Sequence, residues 1–267
     1  MATTKIEYLD YTWNPIAMCC TPCSEGCAKC WHIRMANRLS NNPLIPERER
    51  NAYAGGSPIL VENRLDDPIH IKKPSRIGVQ FMGDLFHEAV TDEWLQDMFD
   101  TMYSCPQHTF ILLTKRPENA YEKIIKHWVE ICEIDDPFFA NVWMGVTAEN
   151  QRRVDERILE LLKLRRYFPV LFVSAEPMLS AIKLQLCHEC QADPGKCYEH
   201  NKIDWVIAGC ETGPGARPMN PEWARDLLGQ CRAANVPFFM KKMSGGQPIP
   251  EDLMVRQFPQ KRTIKCH

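Results

Sequence analysis

Residues 109–117 read Thr109-Phe110-Ile111-Leu112-Leu113-Thr114-Lys115-Arg116-Pro117, and they contain the repeating unit of this 267-residue chain. The run 109–113 is apolar or β-branched throughout, as expected of a parallel strand that is buried on both faces. Pro117 suits the first turn of a following helix. The next apolar residues lie on one face of that helix: Tyr121, Ile124, Ile125 and Trp128. The stretch therefore predicts a strand, a polar turn and a helix.

The same unit recurs along the chain. Strand-like runs are predicted at residues 8–13, 77–82, 141–146, 170–174, 205–208 and 237–240. Helical stripes stand between them, at Ile33, Ala36 and Leu39; at Leu95, Met98, Phe99 and Met102; at Val154, Ile158, Leu161 and Leu162; and at Trp223, Leu227 and Cys231. Thr91 or Asp92, and later Asn220, suit helix N-caps. This alternation predicts an α/β fold with a parallel sheet.

Six or seven such units favour a partial (β/α) barrel of the TIM type, and a doubly wound sheet is the alternative. We expect one domain over residues 1–267. Residues 41–73 break the alternation. They are rich in Pro, Gly, Asn and Arg, and we expect them to wrap the barrel or to cover its mouth.

Composition limits the class of protein. Hydrophobic residues make up 45% and charged residues 25% of the chain, which is typical of a soluble globular protein. A formal net charge of −2 excludes a globally basic nucleic-acid binder but leaves room for a local basic patch. No apolar run is long enough for a membrane span, and residues 1–10 lack the apolar region of a signal peptide. We therefore expect a cytoplasmic protein.

Five of the thirteen cysteines lie in residues 19–31, Cys19-Cys20-Thr21-Pro22-Cys23-Ser24-Glu25-Gly26-Cys27-Ala28-Lys29-Cys30-Trp31, here called the Cys loop. Thiolates at this density in a reducing compartment indicate a metal site rather than disulfides. The spacing is C-x3-C-x2-C from Cys23 and C-x6-C-x2-C from Cys20. Three thiolates leave a coordination position open for chemistry, whereas four close it. An iron–sulfur cluster is favoured, and a structural zinc knuckle or free thiols are the alternatives.

Polar residues follow the predicted strands. They are Asp84 and His87; Lys115 and Arg116; Glu149 and Asn150; Ser174 and Glu176; Glu211; and Lys241 with Lys242. Because loops after parallel strands build active sites, we expect these side chains and the Cys loop to face one cavity. The alternative interpretation of Asp84 is a helix cap, and that of the basic pair at 115–116 is solvated charge. Glu176 directly follows a buried strand, so it requires a partner or a ligand. Cys210 stands at a strand end, while Cys231 is expected in the core.

A second cluster lies at residues 187–201. Cys187, Cys190, Cys197 and His200 form the pattern C-x2-C-x6-C-x2-H, with a turn at 193–195. Tetrahedral zinc suits these four ligands, and it would supply the folding energy that an insertion with so few apolar residues lacks. A second iron–sulfur cluster or a loop with free thiols is the alternative.

Together these landmarks resemble a phage-associated, radical-SAM-like family of mostly unassigned function. The matching motifs are residues 12–15 (Thr-Trp-Asn-Pro), 24–31, 83–87 (Gly-Asp-Leu-Phe-His), 112–117, 145–150, 174–177 (Ser-Ala-Glu-Pro) and 204–218. The resemblance implies a partial barrel with a [4Fe-4S] cluster on three cysteines and S-adenosylmethionine on the open iron. The reduced cluster would cleave the sulfonium, and a 5′-deoxyadenosyl radical would abstract a substrate hydrogen. An electron donor such as flavodoxin or ferredoxin is then expected.

The resemblance also implies roles for residues. Cys27 and Cys30 would bind the cluster with either Cys20, as in the family, or Cys23, as in radical-SAM enzymes at large. The implied S-adenosylmethionine contacts are Glu149, Asn150, Ser174, Glu176 and Glu211, and the substrate-side candidates are Asp84, His87, Lys115, Arg116 and Lys241. Cys210 stands where the family commonly has glycine, which weakens the transfer of contacts there.

The substrate is not specified by these motifs. A phage setting suggests, by analogy only, DNA, RNA or a modified nucleobase. One rival is a zinc-stabilised nucleic-acid-binding protein without catalysis, which would use the basic pairs at 115–116 and 241–242. A barrel that binds S-adenosylmethionine but transfers nothing is a third hypothesis.

Overall fold

A computed structural model describes residues 1–125, 139–184 and 202–260 of the chain. Its centre is an eight-stranded sheet in the order β1-β2-β5-β6-β7-β8-β9-β10. The strands are β1 Ala2–Thr3, β2 Tyr11–Trp13, β5 Arg76–Val79, β6 Thr109–Thr114, β7 Val142–Thr147, β8 Val170–Ala175, β9 Trp205–Gly209 and β10 Phe238–Lys242. A separate pair joins β3 Ile16–Ala17 to β4 Ile59–Leu60. Only β1 is antiparallel to its neighbour in the large sheet. The predicted α/β class and parallel sheet are confirmed.

All seven predicted runs contain a strand, with boundaries that shift by one to three residues. The first strand begins at Tyr11 because residues before it turn, with Leu9 N donating to Ile6 O at 2.9 Å. The strand β5 ends before Gln80, whose backbone is left-handed at φ 53°. The Gln80 amide instead bonds both the N–H and the C=O of Ile16, at 3.1 and 2.6 Å. This contact fixes the chain just before the Cys loop.

Six α-helices are described. They are α1 Trp31–Ser40, α2 Glu47–Tyr53, α3 Asp92–Tyr103, α4 Pro117–Ile124, α5 Gln151–Leu162 and α6 Pro221–Ala233. The predicted caps are confirmed, since Thr91 Oγ1 accepts from Trp94 N and Asn220 Oδ1 accepts from Glu222 N. The predicted stripes of α3 and α5 are buried, as is Cys231 of α6. In α1 the stripe is only partly right, because Ile33 is 46% exposed while Ala36 is buried.

The parallel strands follow one another in chain order, without the reversal that defines a doubly wound sheet. Successive crossovers of one hand place helices on the same face of a sheet. Buried residues of α3, α4, α5 and α6 accordingly share one core with one face of the strands. The opposite face carries a second core in which Trp205 packs against Tyr8, Trp143 and Phe239 at centroid distances of 5.6 to 6.0 Å. Side chains alternate between the two cores, as at Phe110 and Ile111.

Residues 41–73 are more structured than expected. They contain α2 and β4, and Ala52 and Tyr53 pack in one cluster with Ala17 of β3 and Ala36 of α1. The predicted zinc ligands Cys187, Cys190, Cys197 and His200, and Trp128 of the predicted stripe, lie outside the described residues. In the described ranges, no helix combines the length and apolar character needed to span a membrane.

Candidate active site at the carboxyl ends of the strands

A cavity of about 480 Å³ lies where the Cys loop crosses the carboxyl ends of the parallel strands. Most of the predicted site residues line it: Cys20, Cys23, Cys27, Cys30, Asp84, Lys115, Arg116, Ser174, Glu176, Glu211 and Lys241. Cys210 lines it too. The lining described here does not include the predicted residues His87, Glu149 and Asn150, and it includes no residue of 41–73. Residues 41–73 therefore pack beside α1 and do not cover this mouth.

One side of the Cys loop is fastened at Thr21. Arg116 Nη2 donates to Thr21 O at 3.0 Å and to Thr21 Oγ1 at 2.8 Å. His87 Nδ1 accepts from Ala89 N at 3.1 Å, so in the neutral ring Nε2 carries the proton and donates to Thr21 Oγ1 at 3.1 Å. Burial lowers the pKa of His87, which favours that neutral ring. Both residues, predicted for the substrate side, hold the loop in place.

Asp84 is the centre of the same network. It is 4% exposed, and its carboxylate accepts from Thr114 Oγ1 at 2.7 Å, Lys115 N at 3.0 Å and Phe86 N at 3.1 Å. Arg116 Nη1 lies 3.4 Å from it. A buried carboxylate with this many donors has most of its acceptor positions filled and has little capacity left for a ligand. The alternative interpretation of Asp84 as a helix cap is wrong, because no helix of the described chain begins there; its hydrogen bonds instead join the turn at 84–86 to the end of β6.

The other side of the Cys loop rests on Glu149. This carboxylate is fully buried, accepts a hydrogen bond from Ser24 Oγ and pairs with Arg157 Nη1 at 2.7 Å. Arg157 also donates to Thr147 O at 2.7 Å, which ties the pair to the end of β7. Gly26 allows the close approach, since a Cβ there would lie 2.8 Å from Glu149 Oε1. The adjacent Asn150, also predicted to contact S-adenosylmethionine, caps α5 by accepting from Arg153 N at 3.0 Å.

Charged contacts extend this attachment to the last strands. Arg153 Nε donates to Glu25 Oε2 at 3.0 Å, and Arg217 Nη2 donates to Glu25 O at 2.9 Å. Arg217 in turn binds Glu211 through its backbone N–H at 2.8 Å and through Nε at 3.0 Å. The hydrogen bonds from Arg217 hold the pKa of Glu211 below its usual range. The Cys loop is therefore held from both sides by residues that follow different strands.

The thiols of the Cys loop differ in ionisation. A hydrogen bond from Cys23 lowers the pKa of Cys27 to about 4, with burial opposing and the charge of Lys115 assisting. Burial raises the pKa of Cys20 to about 11, with Asp84 and Cys27 contributing to the rise. Cys19 packs in the core, and burial raises its pKa to about 12. The thiolate form of Cys27 is therefore favoured at neutral pH, because its pKa lies below 7.

Glu176, the carboxylate that required a partner, has one in Lys241. The Lys241 ammonium lies 2.7 Å from Glu176 Oε1 and 5.7 Å from the centroid of the Tyr8 ring. Burial disfavours the charged ammonium, but the charge and hydrogen bond of Glu176, together with Tyr8 and Glu7, outweigh burial and raise the pKa of Lys241. Burial also raises the pKa of Tyr8 to about 12, so its phenol stays neutral. This pair forms a polar floor between two strand ends.

Comparison with known proteins assigns a family but no activity. A family model described as "Protein of unknown function (DUF5131)" matches residues 3–261. The chain belongs to the DUF5131 family. No curated protein and no solved structure matches it. The match covers almost the whole chain and names no reaction.

Two buried polar atoms at the cavity of this DUF5131 protein have no hydrogen-bond partner among the described residues. They are Ser174 Oγ and His32 Nε2, and both residues line the cavity. Such atoms are uncommon in folded proteins and favour a ligand or ordered water nearby. Ser174 was predicted for this place, whereas His32 was not. Its only signal in the sequence was its position two residues after Cys30.

Proposed function

We propose that this DUF5131 protein is a radical-SAM enzyme with a [4Fe-4S] cluster in the Cys loop. One observation carries the proposal: Cys20, Cys23, Cys27 and Cys30 line a single cavity together with residues from the ends of all seven parallel strands. A cavity of about 480 Å³ is within the usual range for small-molecule sites. Thiols at the carboxyl edge of such a sheet lie where α/β proteins place reacting groups.

The residues present fit the chemistry of a thiolate-bound cluster. Within residues 1–125, 139–184 and 202–260, no three His, Cys, Asp or Glu side chains already form a group that could hold a metal ion. Binding would therefore require thiol side chains to turn toward a shared point, and Cys23 already contacts Cys27 through a hydrogen bond. The hydrogen bond from Cys23 lowers the pKa of Cys27, which favours the thiolate form that a metal ligand takes. Cys27 and Cys30, with Cys20 or Cys23, would be the ligands.

When bound, such a cluster supplies the electron that cleaves the sulfonium of S-adenosylmethionine. The chain supplies the rest. Thr21 and Ser24 fix the loop backbone through Arg116, His87 and Glu149. Ser174, Glu176 and Glu211 remain the proposed contacts to S-adenosylmethionine, since all three line the cavity. Glu149 and Asn150 support the loop and α5 from outside the lining.

The proposal includes a partial barrel. Seven parallel strands occur in chain order, and their helix-free face carries an aromatic core around Trp205. In a (β/α) barrel, one face of the sheet packs large side chains in the interior and the other face is covered by helices, and this sheet has the same two layers. The proposal also includes zinc at Cys187, Cys190, Cys197 and His200, and a cytoplasmic setting that keeps thiols reduced.

Anaerobic reconstitution with iron and sulfide tests the proposal. We expect brown protein with about four irons per chain, and dithionite with S-adenosylmethionine should then yield 5′-deoxyadenosine. Cys27→Ala should lose the iron, while Cys105→Ala, a buried cysteine outside the cavity, should keep it. Colourless protein that holds zinc in place of iron would overturn the enzyme and support the zinc-stabilised binding protein. An intact cluster with no 5′-deoxyadenosine and no change in its EPR signal on adding S-adenosylmethionine would overturn it as well.

A further inference from the structure

The candidate active site has more positive charge than its own carboxylates neutralise. Its lining contains six cations, Lys5, Lys29, Lys115, Arg116, Lys241 and Lys242, and three carboxylates, Asp84, Glu176 and Glu211. Each carboxylate already has a basic partner: Arg116, Lys241 and Arg217 respectively. With Arg116 and Lys241 so engaged, four of the six cations remain, and none of them pairs with a carboxylate of the described residues. The chain as a whole has a net charge of −2, so this patch is a local feature.

The position of the Cys loop thiolates does not explain why four lysines without a carboxylate partner line the cavity. Among them, Lys115 is the one whose charge lowers the pKa of Cys27. Lys242 belongs to the far wall, next to the Glu176–Lys241 pair, and Lys5 comes from the N-terminal segment. Cations spread around a concave mouth attract an extended anion rather than a single point charge.

An aromatic side chain stands among these cations. Trp31 lines the cavity beside Cys30, and it is 41% exposed. Large exposed aromatic residues next to lysines are the stacking platforms of proteins that bind single-stranded nucleic acid. The indole meets His32 edge-on at a centroid distance of 6.3 Å, which leaves its partly exposed ring accessible for stacking.

A second cavity extends the site. It measures about 650 Å³ and shares Cys210, Glu211, Thr212, Lys241 and Lys242 with the first. Four glycines with left-handed backbones line it, at positions 213, 215, 245 and 246. Glycine permits this conformation and lets a ligand approach the backbone closely. The second cavity also contains the ion pair of Arg256 with Glu7, which is neutral overall. Among the residues described as lining this cavity, Lys242 is therefore the cation without a carboxylate partner.

We propose that the substrate is a single-stranded nucleic acid. The target base enters the first cavity beside Trp31, and the phosphates that flank it lie along Lys5, Lys29 and Lys242 toward the second cavity. A concave mouth of this size admits an unpaired base, whereas a paired base would have to leave its stack first. The identity of the reaction rests on the proposed function, but the binding of the strand does not.

Fluorescence anisotropy with the reconstituted protein tests the binding. The probes are short labelled single strands of DNA and of RNA, the matching DNA duplex, and a mononucleotide. Three phosphate contacts, at Lys5, Lys29 and Lys242, predict that log Kd rises with log salt at a slope of about 2 for the single strand. Lys242→Ala should lower that slope by about 0.7. Trp31→Ala should weaken binding roughly 5- to 150-fold, the range for one lost base stack. The DNA and RNA arms decide which strand is preferred.

Lys163→Ala is the matched control, because Lys163 is exposed, pairs with Glu160 and lies outside both cavities. Iron content and thermal unfolding are measured for every variant, so that a damaged loop in Trp31→Ala is recognised, and Lys242→Ala carries the test in that case. Equal affinity for the mononucleotide or the duplex would overturn the proposal. So would a slope near zero, or a Lys242→Ala slope equal to that of Lys163→Ala. These outcomes are separate from the production of 5′-deoxyadenosine, which tests the radical chemistry alone.

Discussion

Ser24 donates a hydrogen bond to Glu149, and this single contact joins the Cys loop to the end of β7 across 125 positions of sequence. Ser24 Oγ also lies 3.6 Å from Cys27 Sγ. Arg157 neutralises the carboxylate at 2.7 Å in a fully buried position. The order of the thiol-bearing loop therefore depends on an ion pair that lies beneath it.

Glu149→Ala should destabilise the protein and empty the Cys loop of iron. Removing one partner of a buried ion pair leaves Arg157 charged and unpaired, which costs about 3–5 kcal/mol. Glu149→Gln keeps an acceptor for Ser24 and should retain more iron than Glu149→Ala. The measurements are urea unfolding and iron content after reconstitution. Wild-type iron content in Glu149→Ala would show that Ser24 and Cys27 hold their places without this support.

Gly26→Ala should displace the loop without removing any polar group. A Cβ at Gly26 would lie 2.8 Å from Glu149 Oε1, closer than real Cβ contacts. We expect lower iron content and a loss of stability of about 1–3 kcal/mol, as for other overpacked sites. Gly229→Ala in α6 is the matched control, because its Cβ would meet nothing within 4 Å. The control should raise the free energy of unfolding by about 0.5–1 kcal/mol, since alanine favours a helix interior. Unchanged iron content in Gly26→Ala would contradict the close packing.

Local patterns predicted the strands and the helix caps, because burial on both faces and capping side chains act over a few residues. They also predicted that polar residues at the strand ends would gather, because parallel strands share an edge. They did not separate residues that face the cavity from residues that hold the loop. His87 and Glu149 are examples, since their partners Thr21 and Ser24 lie 66 and 125 positions away. Nothing in the local sequence encodes such a pairing, so the polar residues of one edge look alike until the chain is folded.

The third cluster ligand is expected to be Cys20 rather than Cys23. Cys20 is half-buried beside Asp84, whereas Cys23, although it hydrogen-bonds Cys27, is exposed. A cluster that must exclude water is better served by the sheltered thiol. Cys20→Ala, Cys27→Ala and Cys30→Ala should each fall well below wild type in iron after reconstitution, and Cys23→Ala should retain most of it. The reverse pattern between Cys20→Ala and Cys23→Ala would assign Cys23 as the ligand.

Because of Tyr8, the free energy of unfolding should fall as the pH becomes alkaline. Burial raises the pKa of Tyr8 to about 12 in the folded protein, compared with about 10 in the unfolded chain. A raised pKa means that the contribution is fully present below pH 10 and is lost as the pH rises to 12, because only the unfolded chain then gains from ionising. The loss relative to Tyr8→Phe should reach about 1.4 kcal/mol at pH 11 and about 2.3 kcal/mol at pH 12. Urea unfolding of both proteins from pH 8 to pH 11 measures it. Parallel pH curves for the two proteins would show that the Tyr8 phenol ionises as easily when folded as when unfolded.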